Sequence, residues 1–267
     1  MILKRPRELD LMYEAATVNR EALEAIEPYI KPGVSTKELD AIAEDAILSR
    51  GGRPAFKGYT GSGPKPFPAT LCTSVNEVVV HGIPNEKPLK EGDILSVDIG
   101  TFYRGYAGDM AKTYAVGAIS AKAKRLLEVT QASLYAGIEQ AQPGNRLGDV
   151  SAAIQDVVER AGYWVIREFV GHGIGAEFHE SPEVPNYGEK GSGPLLRPGL
   201  VLAIEPMVAA KRADVRILRD GWTAPTVNRS LAAHFEHTVA ITETGPRILS
   251  TLDQRLDKQL AGGVYGA

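Results

Sequence analysis

From residue 6 to residue 30 apolar side chains recur at helical spacing (Leu9, Met12, Ala16, Leu23, Ile26, Ile30), which predicts an amphipathic helix ending near Pro28 or Pro32. Ser35-Thr36-Lys37-Glu38 is a capping-box pattern, in which the serine hydroxyl accepts from first-turn amides. It opens a second helix whose buried stripe is Leu39, Ile42, Ala46 and Ile47, running up to Gly51-Gly52. Between Gly58 and Pro68 the composition shifts to Gly, Ser, Pro and Lys, predicting a surface loop. The period then changes. From Ile94 to Tyr114 two β-prone runs flank Arg104-Gly105 and predict a hairpin. Two more helices are expected over 121–140 (Leu126, Leu127, Val129, Leu134, Ile138) and 150–161. Strand-like runs follow at Trp164–Val170, Leu200–Ile204, Val215–Leu218 and Thr238–Ile241, with Asp220-Gly221 as a turn before Trp222. The tail after Asp253 is expected to fray.

The chain also repeats itself. Pro32-Gly33, Glu38-Leu39, Asp45 and Gly51 recur as Pro143-Gly144, Asp149-Val150, Asp156 and Gly162 at one constant offset. The run from Leu89 to Asp98 aligns with that from Leu196 to Glu205 at another, so Asp98 and Glu205 occupy equivalent strand positions. Turn and capping signals precede many helices, but a matching acid inside a strand is a more specific coincidence. These patterns predict one α+β domain made of two helix-then-strand halves, about 5–115 and 116–250, related by a pseudo-twofold with the acids facing each other.

Composition narrows the class. A chain of 267 residues with 43% hydrophobic content can bury a sizeable core. The net charge is −3 with Lys and Arg spread throughout, so no basic face announces nucleic acid and no cationic amphipathic stretch announces a membrane. No stretch approaches the roughly 18 apolar residues of a spanning helix. Cys72 is the only cysteine, which rules out an intrachain disulfide and fits a reducing compartment; a packing or pocket role is expected for it. The expected location is the cytoplasm.

The candidate chemistry lies in acids placed where strands are apolar. Asp98 interrupts Ile94-Leu95-Ser96-Val97, Asp109 sits on the second hairpin strand, Glu205 closes Leu202-Ala203-Ile204, and Glu236 lies in Phe235-Glu236-His237. A buried carboxylate is costly unless a cation neutralises it. Two unit charges about 4 Å apart repel by roughly 4 kcal/mol at an effective dielectric near 20, so four converging carboxylates need cations, and two divalent ions would balance them. Pairing with Arg or Lys at strand ends is the alternative at this point. Of the histidines, His81 ends an apolar strand, while His172 and His179 stand among Gly171, Gly173 and Gly175, where the backbone can approach a ligand closely. The glycine spacing is not that of a phosphate loop. Oxygen-rich ligation with one or two imidazoles suits Mn, Fe, Co or Zn at a catalytic site. Paired metals roughly 3.5 to 4 Å apart can share a water and lower its pKa towards about 7, which points to metal-assisted hydrolysis.

Taken together, the segments Ser74 to Pro84, Asp93 to Gly100, Gly108-Asp109, Gly171 to Gly175, His179, Glu205-Pro206 and Phe235 to Thr238 resemble the type I methionine aminopeptidases, from about residue 5 to 250. The resemblance implies the pita-bread fold, a central curved antiparallel sheet covered by helices, and a metalloprotease that removes initiator methionine when the second residue is small. It implies that Asp98 chelates one metal, that Asp109 and Glu236 bridge two, and that His172 and Glu205 complete the second, Glu205 doubling as general base. His179 would contact the scissile amide and stabilise the tetrahedral intermediate, and His81 would sit near the substrate amine. A thioether pocket lined by aromatics and a thiol is expected from Tyr59, Phe67, Cys72, Phe178 and Trp222. The backbone at Asn76 and Val78 resembles the family's loop for a monovalent cation, Na or K. The implied partners are nascent polypeptide N-termini at the ribosome, with a monomeric enzyme; no zinc-binding or proline-rich module is expected ahead of the core.

Two other readings compete. An X-Pro aminopeptidase or dipeptidase of the same fold would share the metal ligands, but the Trp222 hairpin favours methionine. A metal-free binding homologue would keep the fold alone, against the intact acids and His172.

Overall fold

In a computed structural model of the chain, residues 1–61 and 65–251 are described; the tip of the 58–68 loop and the tail beyond Asp253 lie outside them. The α-helices among the described residues are Pro6–Ile26 (α1), Thr36–Ser49 (α2), Ala121–Gln140 (α3) and Leu147–Arg160 (α4). The strands in chain order are Arg53–Pro54 (β1), Leu71–Val75 (β2), Val78–Val80 (β3), Ile94–Tyr103 (β4), Tyr106–Ala115 (β5), Trp164–Val165 (β6) and Gly171–Gly173 (β7). Then come Glu180–Val184 (β8), Val201–Ile204 (β9), Met207–Ala209 (β10), Ala224–Pro225 (β11), Ala232–His234 (β12), Glu236–Thr242 (β13) and Gly245–Ile248 (β14).

The helix starts follow from local bonds. Ser35 N donates to Glu38 Oε2 (2.8 Å) and Glu38 N to Ser35 Oγ (3.3 Å), closing the capping box of α2. At the repeated position Arg146 N donates to Asp149 Oδ2 (2.8 Å), so α4 begins at Leu147, ahead of the predicted Val150. Both helix pairs are docked by the same turn: Gly33 (φ 95°) and Gly144 (φ 93°) adopt the left-handed conformation that glycine allows. Their amides donate to Leu89 O (2.8 Å) and Leu196 O (3.0 Å) respectively. The two offsets seen in the sequence thus meet in one pair of equivalent contacts.

Nine strands form the central antiparallel sheet, in the order β1-β4-β5-β13-β9-β7-β8 with β2 on β4 and β14 on β13. The β4–β5 hairpin turns where predicted, with Tyr103 opposite Tyr106 and positive φ at both Arg104 (50°) and Gly105 (87°), as a two-residue type I′ turn requires. Side-chain alternation then divides the sheet. Leu95, Val97, Ile99 and Met110 join Leu23, Ile26, Leu39 and Ile47 in a core under α1 and α2. Leu202, Ile204, Val239 and Ile241 join Leu134, Ile138, Val150 and Ile154 under α3 and α4. Helices therefore cover one face of the curved sheet, the pita-bread arrangement, and the opposite face carries Asp98, Asp109, Glu205 and Glu236.

Two predicted strands are shorter than expected. The run 164–170 pairs only through Trp164–Val165 on β10, with one further bond from Ile166 N to Met207 O (2.9 Å), after which Arg167 and Glu168 are exposed. The run 215–218 makes a single bridge, Val215 to Thr226, then irregular bonds from Arg216 N to Pro225 O (3.2 Å) and Leu218 N to Thr223 O (2.9 Å), leaving Ile217 60% exposed. β-branched composition favours strands only where a partner edge exists.

Candidate active site

Register places the acids. Asp98 and Glu236 both lie opposite Ala111, on either side of it, and Asp109 is paired with Gly100, two residues from Asp98 on the same face. His237 pairs Ile204, so one step on Glu236 faces Glu205, and His172 pairs Ala203, two residues from Glu205 on the same face. The resulting cluster is compact: His172 Nε2 lies 3.5 Å from Asp109 Oδ2 and 3.8 Å from Glu205 Oε1. Donor atoms of Asp109, His172 and Glu236 all lie within 4.8 Å of one another, as do those of Glu205, His234 and Glu236.

His234 was not singled out by sequence reasoning. Its Nε2 is 3.4 Å from Glu205 Oε2, on the far side of that carboxylate from His172. The available signal was period-two alternation with Glu236 across the β12–β13 boundary. His237, one residue further, points to the other face, where it meets Ser250 Oγ (3.0 Å).

The electrostatics are those of a site short of positive charge. Burial, reinforced by Asp109 and Glu205, holds the Asp98 carboxyl well above the usual carboxylate range. Burial does the same to Glu236, with Asp109 the first charge that adds to it, and burial raises Asp109 against the downward pull of His172. On His172 burial acts downward but Asp109 and Glu205 outweigh it, and the net shift is upward. His81 and His179 are pushed down to about 4, chiefly by burial. Asp98 Oδ1, Asp109 Oδ1, Glu236 Oε1 and His234 Nε2 are buried without a hydrogen-bond partner. Orphaned oxygens and an imidazole nitrogen turned into one space are the donor set a divalent cation takes, so the residues present fit one.

Above this floor is a cavity of about 400 Å³. Tyr59, Phe67, Cys72, His81, Phe178, His179 and Trp222 all line it, as do Asp98, Asp109, His172, Glu205 and Glu236. Phe67 packs edge-on to Trp222 (5.3 Å between centroids) and is 2% exposed, so Tyr59, Gly61 and Phe67, among the described residues of the 58–68 segment, form cavity wall and not merely surface loop. Gly58 N to Phe67 O (2.8 Å) and Phe67 N to Tyr59 O (2.9 Å) hold its two described ends together. Tyr59 Oη lies 3.0 Å from His179 Nδ1, and the His179 ring is 4.3 Å from that of His172. His81, in the left-handed region at φ 59°, has its ring between Phe169 (5.3 Å) and Trp222 (6.3 Å). Phe56 and Phe169 also line the cavity and were missed, being apolar residues with no local mark. Asn76 and Val78 lie apart, lining a separate cavity; the Asn76 side chain donates to Asp93 Oδ1 (2.7 Å) and accepts from Ile94 N (3.0 Å).

Carboxylates and imidazoles gathered on a sheet at the floor of a cavity walled by aromatic side chains define a metal-dependent hydrolase. The sequence matches the profile of Metallopeptidase family M24 over residues 10–243. It is 53% identical over 250 residues to methionine aminopeptidase 1 of Bacillus subtilis, covering 94% of this chain and 99% of that one. The crystal structure of methionine aminopeptidase from Rickettsia prowazekii superposes with a TM-score of 0.91 at 39% identity, covering 94% of this chain and all (100%) of the other. A Pyrococcus horikoshii prolidase superposes at 0.71 with 24% identity, a likeness of fold alone, and this chain covers 64% of it. The chain belongs to metallopeptidase family M24.

Proposed function

We propose that this protein is a methionine aminopeptidase that removes the initiator methionine from new polypeptides with a small second residue, working as a single-domain monomer in the cytoplasm on chains emerging from the ribosome. The observation that carries this reading is the coincidence of a carboxylate and imidazole floor with an aromatic-walled cavity of about 400 Å³, whose apolar lining suits an unbranched thioether side chain. Near-full-length identity to relatives of that name supports it. Among the described residues no helix is long and apolar enough to cross a membrane.

In this reading Asp98, Asp109, His172, Glu205 and Glu236 hold two divalent ions drawn from Co, Mn, Fe or Zn. Bound there, the ions supply Lewis acidity for a water and for the scissile carbonyl. Glu205 takes the water's proton and returns it to the leaving amine. His179, held neutral by burial at ordinary pH and tied through Nδ1 to Tyr59, presents its ring to the substrate carbonyl oxygen and steadies the charge that grows there. His81 sits where the substrate amine enters. Tyr59, Phe67, Cys72, Phe178 and Trp222 enclose the methionine side chain and exclude water. Asn76 and Val78 belong to a monovalent-cation loop, for Na or K.

The test compares cleavage of Met-Ala-Ser and Ala-Pro-Ala peptides by metal-reconstituted protein. Cleavage of the first alone is expected. Preference for the second would replace this reading with an X-Pro peptidase.

A further inference from the structure

Gly175 belongs to a motif conspicuous in the sequence, yet no chemical step uses it. A Cβ there would lie 2.2 Å from Glu180 Oε1 and 2.5 Å from Lys4 Cε, and one on Gly199 would lie 2.7 Å from Lys4 O. Both glycines make room for the same lysine. Lys4 is buried as lysines seldom are: its Nζ is 2.5 Å from Glu180 Oε2, with side-chain exposures of 3% and 5%. The ammonium also donates to Ile2 O (3.2 Å), and Lys4 N donates to Gly199 O (2.7 Å). Residue 4 is therefore clamped between the approach to β9 and the first residue of β8, partners 176 positions distant in the case of Glu180.

Glu180 opens β8 and follows His179, the last residue of the preceding bend, so anchoring Glu180 fixes where the chain leaves residue 179. With the Glu180 carboxylate held on Lys4, the neighbouring His179 stands in the cavity, where its ring meets those of His172 (4.3 Å) and Phe178 (5.0 Å). The preceding loop is braced by Ala107 N to Gly175 O (2.8 Å) and Gly175 N to Glu177 O (3.0 Å), bonds that fix its root but not the direction of residue 179. An ion pair this deep loses hydration on both partners and is often no more stabilising than an apolar pair of the same shape, so its use here fits placement better than stability.

We propose that Lys4 and Glu180 are positioning residues whose buried ion pair aims His179 at the substrate carbonyl. The inference rests on the role given to His179 above. It is tested in the full metal-loaded chain with Lys4→Met, which leaves Glu180 charged and unpaired, and with Lys4→Met/Glu180→Gln, which removes both charges. Assays run well below every variant's melting point. In Lys4→Met, kcat on Met-Ala-Ser is expected to fall by about 10- to 100-fold with KM within about twofold, as for a misaimed group, and Tm to drop. The double variant should regain Tm but not kcat. Hydrogen exchange should quicken over residues 174–184 in both variants while the β4–β5 hairpin stays protected. Wild-type kcat in Lys4→Met, or recovery of kcat together with Tm in the double variant, would overturn the proposal. No turnover by the wild-type protein would instead break the functional reading, and the exchange rates would still decide whether the pair holds the loop.

Discussion

The floor of the cavity and its wall are built differently. Every acid on the floor stands on or at the end of a strand of the nine-stranded sheet, and its place follows from register with its neighbours. Apart from Cys72 on β2, which pairs Asp98, most of the wall comes from connections: Phe56, Tyr59 and Phe67 after β1, Phe169 after β6, and Trp222 after the irregular ribbon that follows β10. Trp222 is fixed by side-chain bonds, its N to Asp220 Oδ1 and its Nε1 to Lys65 O, each 2.9 Å. Reaction chemistry thus rests on rigid elements, and side-chain selection on loops that can vary without disturbing it.

This division can be broken or sharpened by substitution. The largest effect is expected at the floor. Asp109→Asn should lower kcat by about a thousandfold or more with the fold intact, because in the proposed function this carboxylate would hold the cations whose charge stabilisation is worth several kcal/mol. Circular dichroism with steady-state kinetics checks this, and severe unfolding with activity retained would contradict it. Next comes pH. Burial raises Asp98, Asp109 and Glu236. Acids with a folded pKa above the unfolded value bind more protons when folded, so the contribution of these three to the stability of metal-free protein is greatest at low pH and is lost as pH rises through the raised values. Bound cations remove this penalty, and the Tm gain on metal loading should grow from about pH 5 to about pH 8. A gain independent of pH would detach the acids from the metal.

At the wall the effects should be smaller and differ in kind. Trp222→Ala should raise KM for methionine peptides roughly 10-fold or more with kcat little changed, the signature of lost side-chain binding. An unchanged KM would remove Trp222 from the pocket. Tyr59→Phe deletes one hydrogen bond to His179 and should cost roughly two- to tenfold in kcat.

The sequence discloses the floor more readily than the wall for the same reason. A carboxylate in an apolar strand is anomalous on local grounds, so Asp98 and Glu205 stand out, and glycines around His172 and His179 mark close approach. The β4–β5 hairpin and the equivalent turns at Gly33 and Gly144 follow from turn chemistry and repeated caps. Phe56, Phe169 and Ile217 carry no such mark, because their exposure to the cavity is decided by segments far away in the chain. The truncation of 164–170 and 215–218 depends on the absence of a partner edge, which local pattern does not encode. Lys4 reads as an ordinary terminal cation until Glu180 is placed beside it.

The most direct test is calorimetric titration of rigorously metal-free protein with Co or Mn, followed by turnover of Met-Ala-Ser at each loading. Uptake of two ions, with activity appearing as they bind, is the predicted result. Full turnover without metal, or no uptake at all, would contradict it.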